Sequence, residues 1–547
     1  MDGQFDSIVH VISKHAREKS ARDAIIFLAR GETETERVSY GTLDAMAERH
    51  AGGFAAAGLS RQAVVIAMPP GAAFVAVFLG ALRAGAIAVP VSLPDTDKNK
   101  ARFAAVLSDA RPAAIVTSDE HAARIGAAGT KVLTPDDLHG PTTALPALDP
   151  SQPAFVQYTS GSTQAPKGIA ITHGNLASNQ RMIQAAFGTE AGIVGVNWLP
   201  HFHDMGLIGT ILHPLFLGGT AVLMPPRAFI QKPIRWLRAI EKYRSDTAGG
   251  PCFGFELCTR MIAADEARTL DLSSWQVAFS GAEPVRASVL NAFAERFAPA
   301  KFSAKAFLPC YGLAEATLIV SAAKRGSGVR QRTLQAWSSG APRDHVSCGA
   351  PAGGGSVALR GEREDAGEIC VAGPHLAPGH WDGARRGIAP FPDLFAKDGQ
   401  TWLPTGDIGA LVDGELYVVD RLKDFLILYG AKIHAADVET TALEESPDIR
   451  AACAFATDDG ARERLVVVCE IERRRLGGAA ALDARLARRI AEAHGVVPQV
   501  HLAPYGTLPR TSSGKIRRTA ARTKFLSGEL GLHKVETNAA HPSSDAE

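Results

Sequence analysis

Between residues 64 and 117 the chain alternates short, almost wholly apolar runs with segments of helical spacing, a rhythm that few folds accommodate. Val64 to Met68, Ala86 to Val91 and Ala113 to Thr117 read as strands, with Ala72 to Leu82 and Lys98 to Asp109 as the helices between them. Strands apolar on both faces must be covered on both faces, which makes this a parallel sheet in an α/β fold. Ahead of the block, Asp23 to Leu28 and the residues around Arg37 to Tyr40 read as short strands, and Tyr40 to Leu59 as an amphipathic helix.

A second apolar pair, Ala154 to Val156 and Ile169 to Thr172, encloses Tyr158 to Gly168, YTSGSTQAPKG. A Gly/Ser/Thr stretch of this length is commonly a surface linker, but linkers rarely sit inside a hairpin of buried strands. The alternative is an anion cradle. Gly161 lets the backbone turn sharply, Thr159, Ser160, Ser162 and Thr163 offer hydroxyls, and Lys167 adds a charge. The loop is not a Walker A motif, because Pro166 stands where Gly is required and Gly168 where Ser or Thr is required. That excludes a P-loop ATPase and leaves another kind of nucleoside triphosphate site.

At 547 residues and 46% hydrophobic content the chain is long enough for two or more cores. Its 58 basic and 57 acidic residues leave a net charge of +1, which points to neither nucleic acid nor an anionic membrane. Seven cysteines without a CxxC pair predict reduced thiols and a cytoplasmic setting. No secretory signal pattern opens the chain. The longest apolar run, 71–89, is broken by Arg83 and Gly85, so no membrane span is expected.

Further along, NWLPHFHDMGLIG (197–209) carries two histidines and an aspartate. It reads either as a helix start capped by Asp204 or as a site wall, with His203 gating an apolar tunnel beneath Trp198. The HxHxDH spacing of dinuclear hydrolases is absent, which disfavours a metal centre. QVAFSGAEPV (276–285) and PCYGLAEAT (309–317) are each a strand entering a glycine turn with an acidic residue beyond, the place where α/β sheets bind ligands. Tyr311 suits stacking on a base, and Glu315 suits Mg²⁺ on phosphates. Residues 321–346 lose periodicity and read as a long loop or inserted flap. In LPTGDIG, Asp407 suits the two hydroxyls of a ribose. YVVDRLKD (417–424) precedes a new α/β segment, 438–502, with a strand at Leu465 to Ile471 and a helix around Leu482 to His494, so a boundary falls near Asp420. LPRTSSGKIRR (508–518) presents Lys515 on a polar turn, and a polar tail expected to be disordered follows Ser527.

Taken in order, YTSGSTQAPKG, HFHDMG, SGAEPV, YGLAEAT, PTGDIG, DRLKD and PRTSSGK make the chain resemble, almost end to end, the adenylate-forming superfamily of acyl-CoA synthetases, nonribosomal adenylation domains and luciferases. WLPHFHDMGLIG, GGPCFGFELC, YGLAEATLIVSA and HVSCGAP look most like the fatty acyl-AMP ligases, which hand their acyl group to an acyl carrier protein instead of coenzyme A. The resemblance implies a large N-terminal domain of α/β sheets and a distorted β-barrel (1–419), a small mobile α+β lid (420–526) and a tail (527–547). It implies ATP and Mg²⁺, a fatty acid, and a carrier protein acting in trans, since no carrier-type serine motif follows Lys515.

Roles come with the resemblance. Thr159, Ser160, Gly161, Ser162, Thr163 and Lys167 hold the pyrophosphate side of ATP, with Thr163 also near the metal. Gly281, Ala282, Glu283, Tyr311, Gly312, Leu313 and Ala314 surround adenine; Glu315 binds Mg²⁺; Asp407 and Arg421 hold ribose; Asp420 is the hinge. Trp198, His203, Asp204 and Phe253 face the acid, and catalysis falls to Lys515, Lys167, Glu315 and His203. The flap Leu334 to Val346 lies where acyl-AMP ligases carry an insertion thought to hinder the lid movement that coenzyme A needs.

Two departures keep alternatives open. Gln164 stands where the phosphate loop more often has Gly, and GAKIHAADVE (430–439) resembles coenzyme A ligases equally well. A fatty acyl-CoA ligase, an aryl- or amino-acid-adenylating enzyme and an inactive acyl-adenylate-binding homologue therefore stand beside the leading reading. Intact Glu315, Asp407, Arg421 and Lys515 count against the last.

Overall fold

The computed structural model describes residues 6–125, 129–141, 146–159, 166–334, 342–361, 363, 366–422, 425–428, 431–458, 463–473, 481–510, 514 and 516–532. Contacts divide the chain into two compact units, Met1–Thr333 with Asp344–Val419, and Leu334–Arg343 with Asp420–Glu547.

Two large sheets dominate the first unit. In one, of eight strands among the described residues, Ala63–Ala67 lies between the parallel strands Ile87–Pro90 and Ala114–Thr117. The crossovers are the helices Ala72–Arg83 and Asp97–Ala110, so the apolar rhythm of the sequence folds as its spacing predicts. Every residue of Ala63–Ala67 is buried, as a strand covered on both faces requires. Farther across this sheet, Pro153–Tyr158 and Gly168–Thr172 form an antiparallel hairpin with Tyr158 opposite Gly168. A Cβ on Gly168 would stand 2.5 Å from Val156 Cγ1, so this close approach requires glycine. The Tyr158 hydroxyl donates to Asp109 Oδ2 at 2.5 Å, fastening the strand end to the preceding helix. The loop 160–165 at the tip of this hairpin lies outside the described residues.

The second sheet, of nine strands among the described residues, contains the parallel run Thr220–Leu223, Val194–Asn197, Thr247–Gly250, Val277–Ser280 and Phe307–Gly312. Beneath it, Trp198, Phe229, Trp236, Phe255, Trp275 and Phe293 are fully buried and pack edge-to-face or stacked. Rings this large bury 150–250 Å² each and anchor the strand ends above them. A five-stranded, mainly antiparallel sheet stands where the distorted barrel is expected, and its long strand Gln400–Val412 carries Asp407.

Of the two readings of 321–346, a long loop or an inserted flap, the structureless loop needs correction: the stretch contains the end of the strand Ile319–Ala322 and two further short strands, Gln331–Leu334 and Arg343–Val346, which form a two-stranded sheet. Gln331–Leu334 is largely exposed and Arg343–Val346 carries charge, so neither shows the apolar alternation by which a strand is recognised.

In the second unit, the strand Ile449–Asp458 pairs antiparallel with Glu463–Ile471, which pairs in parallel with Pro498–Pro504. The helices Ala435–Glu445, Leu482–His494 and Arg518–Leu526 accompany them, with Leu486 and Ile490 in the core. Among the described residues, no helix is long and apolar enough to cross a membrane.

Candidate active site

The parallel strands of the second sheet deliver most of the motif residues at one edge. Val194–Asn197 leads into Trp198, Thr247–Gly250 into the helix Cys252–Met261, Val277–Ser280 into Gly281 to Glu283, and Phe307–Gly312 into Leu313 to Glu315. Their registers align, with Gly250 opposite Ser280 and Ser280 opposite Pro309, so these turns open at the carboxyl ends of adjoining strands.

Two turns there have backbone walls. Ala282 adopts a left-handed φ of 68°, and a Cβ on Gly281 would meet the Cys310 carbonyl oxygen at 2.7 Å. Next to it, the Leu313 amide donates to the Leu318 carbonyl at 3.0 Å and closes a tight turn around Glu315. Thr317 within that turn has φ 65°, which is strained for a β-branched residue and is the kind of outlier that gathers at binding sites. Its surroundings hold it: Thr317 Oγ1 donates to the His375 carbonyl at 2.7 Å, and the Ala377 amide donates to the Glu315 carbonyl at 2.8 Å. Asn179, on the helix His173–Phe187, donates to the Ile319 carbonyl at 3.0 Å and accepts from the Ile319 amide at 3.2 Å.

Two motifs 96 residues apart meet in a hydrogen bond from the Tyr311 hydroxyl to Asp407 Oδ2, at 2.7 Å. Asp407 is buried, and its position is set by neighbours: its amide donates to Thr405 Oγ1 at 3.1 Å, and the Gly406 amide donates to Glu368 Oε1 at 3.1 Å. A carboxylate fixed beside a phenol at a strand end suits the vicinal hydroxyls of a nucleoside.

Glu283 has a structural partner as well. Its Oε1 accepts from the Phe253 amide at 2.8 Å, satisfying an otherwise orphaned N–H in the first turn of Cys252–Met261 and so positioning Phe253. Phe253 is half-buried and meets the Trp198 edge at 5.5 Å between ring centroids, while the Trp198 face stacks on Phe229 at 4.0 Å. Trp198 is thus a core ring that backs Phe253. Asp204 Oδ1 accepts from the Met205 amide at 2.6 Å and lies 2.5 Å from His203 Nδ1. It is the N-cap of the expected helix, which is π-helical from Met205 to Leu212, a geometry that apolar spacing does not signal. His201 points elsewhere: its Nε2 lies 3.0 Å from the Met68 carbonyl, and burial pushes its pKa down to about 4.

Thr159 is half-buried, and its carbonyl accepts from Arg102 Nη2 at 3.4 Å, while Lys167 is exposed immediately before the strand Gly168–Thr172. Ser160, Gly161, Ser162, Thr163, Gln164 and Lys515 lie outside the described residues, as does the side chain of Asp420, and Arg421 is exposed. Sequence reasoning did not find the supports Asn179, Asp109 and Arg102, because single Asn, Asp and Arg residues on helices carry no motif. Cys252 and Cys310 lie beside Ser280, and burial pushes the Cys252 thiol up to about 11, which makes it a packing residue and not a nucleophile.

The AMP-binding enzyme family model matches residues 12–381. Over 99% of both chains the sequence is 34% identical to the medium-chain-fatty-acid–[acyl-carrier-protein] ligase JamA of Moorena producens. Among solved structures, a fatty acyl-adenylate ligase from work on the E. coli and L. pneumophila enzymes superposes with a TM-score of 0.86 at 32% identity, covering 96% of this chain and 98% of that one. The L. pneumophila fatty acyl-adenylate ligase in complex with acyl adenylate and pyrophosphate superposes with a TM-score of 0.73 at 31% identity, covering 97% of each chain. The motif order, the strand-end site and these likenesses together make the chain a member of the AMP-binding enzyme family, among its fatty acyl-adenylate ligases.

Proposed function

We propose that the protein activates a medium- or long-chain fatty acid with ATP, releasing pyrophosphate, and transfers the acyl group to the phosphopantetheine thiol of a separate acyl carrier protein. The observation that carries this reading is the Tyr311–Asp407 hydrogen bond at the strand-end site, which joins the proposed adenine and ribose positions. That the Moorena producens relative is a medium-chain-fatty-acid–[acyl-carrier-protein] ligase supports the choice of acid and acceptor.

In the first step a carboxylate oxygen attacks the α-phosphorus, and the bond to pyrophosphate breaks. A carboxylic acid with pKa near 4 to 5 is ionised at neutral pH, so no general base is required. The barrier is electrostatic, since one anion approaches another, and catalysis rests on positioning and on charge neutralisation. Lys167 and the hydroxyls of Thr159 to Thr163 are assigned to the leaving phosphates, and Lys515 to the reacting carboxylate and phosphate. Glu315, on its braced turn, is the carboxylate that would hold Mg²⁺, and the ion would supply charge neutralisation at the phosphates. His203, oriented through Nδ1 by Asp204, and Phe253 are assigned to the acid side. In the second step the thiol sulfur attacks the acyl carbonyl and AMP leaves with its phosphate oxygen.

The carrier protein, in preference to coenzyme A, is favoured by residues 334–343, which group with the second unit. There Arg343 donates to the Asp437 carbonyl at 3.3 Å and to Thr441 Oγ1 at 3.2 Å, and Nη1 lies 3.1 Å from Asp437 Oδ1. Mass spectrometry of product from mixed fatty acids with ATP, coenzyme A and a phosphopantetheinylated carrier tests the proposal. Acyl-carrier is the expected product. Acyl-CoA in excess would overturn the choice of acceptor, and no acyl product would overturn the activity. Deleting 335–341 together with Arg343→Ala is expected to raise acyl-CoA yield, and an unchanged yield removes this segment from acceptor choice.

A further inference from the structure

Glu470 is a fully buried carboxylate on the strand Glu463–Ile471, with no role in the chemistry described above. Burying an ionised carboxylate costs several kcal/mol unless it is paired and hydrogen-bonded. Here it is both. Oε1 accepts from the Gly506 amide at 3.1 Å and from the Leu508 amide at 2.6 Å. Arg510 straddles the carboxylate, with Nη1 3.3 Å from Oε1 and Nη2 2.6 Å from Oε2, the forked geometry that specifies orientation as well as charge. The guanidinium also donates from Nη1 to the Leu508 carbonyl at 3.3 Å and lies 5.4 Å from the Tyr505 ring centroid.

These contacts all converge on one stem. Arg510 forms a β-bridge with Ile516, and the Arg517 amide donates to the Pro509 carbonyl at 2.7 Å, so both ends of the segment 510–516 are tied together. Lys515 is the residue immediately before the bridged Ile516. An apolar side chain at 470 could pack there, yet it would leave two amides and a guanidinium without their acceptor. The cluster therefore ties this stem to the strand Glu463–Ile471.

We infer that Glu470 is a positioning residue for adenylate formation: through Arg510 and the amides of Gly506 and Leu508 it clamps the stem of the loop that carries Lys515. The inference rests on the assignment of Lys515 to the adenylation step. If the clamp sets where the ammonium can reach, loosening it slows the step that uses Lys515 and spares the step that does not. A displacement of about 1 Å in such a group costs on the order of 10²-fold in rate.

The test compares Glu470→Gln, Arg510→Lys and Lys515→Ala with wild type in full-length protein. Glutamine keeps an acceptor oxygen for the amides but loses the charge, and lysine keeps the charge but loses the fork. Adenylation is read by ATP–pyrophosphate exchange with dodecanoic acid. Transfer is read separately from pre-formed dodecanoyl-adenylate to whichever thiol the wild type uses. We expect Glu470→Gln and Arg510→Lys to lower kcat of exchange by about 10- to 100-fold, with KM for ATP within about threefold and transfer within about twofold of wild type. Exchange at the wild-type rate in both variants, or a parallel fall of exchange and transfer, would overturn the clamp. If Glu470→Gln does not fold, Arg510→Lys alone decides by the same split. Lys515→Ala separates the two ideas. If it keeps exchange, the assignment of Lys515 fails; if it loses exchange while the clamp variants keep it, only the positioning role fails.

Discussion

Asp407 and Tyr311 show how the proposed nucleoside pocket draws on residues that are uninformative alone. An aspartate in a TGD turn and a tyrosine before a glycine each have many uses, but a 2.7 Å hydrogen bond between them, on strands of two different sheets, makes one site. Tyr311→Phe keeps the ring and removes that donor from Asp407. A hydrogen bond to a charged group contributes about 1.5 kcal/mol, so KM for ATP should rise about tenfold in exchange assays, with kcat changed less. An unchanged KM would mean the hydroxyl does not organise the nucleotide site. Motif order made both residues legible. The partner of Glu283 was not, because the Phe253 amide it accepts from lies 30 residues earlier on another element, and nothing in SGAEPV announces a helix cap.

At the scale of elements, the turn from Leu313 to Leu318 is the part most dependent on its surroundings. Its φ of 65° at Thr317 persists because Asn179 and the 375–377 segment hold it from two sides. Asn179→Ala would leave the Ile319 amide and carbonyl without their partners in a buried place, at a cost of about 1 to 3 kcal/mol. The expected result is a lower urea midpoint together with a fall in adenylation kcat. A variant that loses stability but keeps kcat would show that the strained turn is not catalytically needed.

The parallel strands and their crossovers were readable because a doubly covered strand writes an unbroken apolar run. The strands Gln331–Leu334 and Arg343–Val346 were not, since an exposed ladder places polar residues on both faces. The π-helix at Met205–Leu212 was equally hidden: its capping Asp204 is visible in sequence, its hydrogen-bond spacing is not.

Over the whole molecule, the buried histidines set a pH window. His213 is pushed down to about 3 and His173, His201 and His375 to about 4, in each case chiefly by burial. His213 is held neutral between Gln180 Oε1 at 2.9 Å and Thr189 Oγ1 at 3.2 Å. Their ordinary pKa is about 6.5, so between pH 6.5 and 4 the unfolded chain binds protons that the folded chain refuses. The stabilisation is therefore complete above pH 6.5 and lost as pH falls, by at most about 1.4 kcal/mol per histidine per pH unit. Urea midpoints followed by tryptophan fluorescence should be level from pH 7 to 8 and drop steeply from 6.5 to 4.5; a flat profile across that window would show that these rings are protonated in the fold.

Most of the residues we assign to the nucleotide fall in the first unit, and Arg421 and Lys515 in the second; the proposed chemistry requires that ATP is cleaved between its α- and β-phosphates only when a fatty acid is present. Nucleotide analysis after incubation with ATP, Mg²⁺ and dodecanoic acid measures this directly. AMP, pyrophosphate and hydroxylamine-trappable dodecanoyl-adenylate are expected, dependent on the acid and abolished by Lys515→Ala. ADP and phosphate as products, or no turnover with any chain length, would contradict that chemistry.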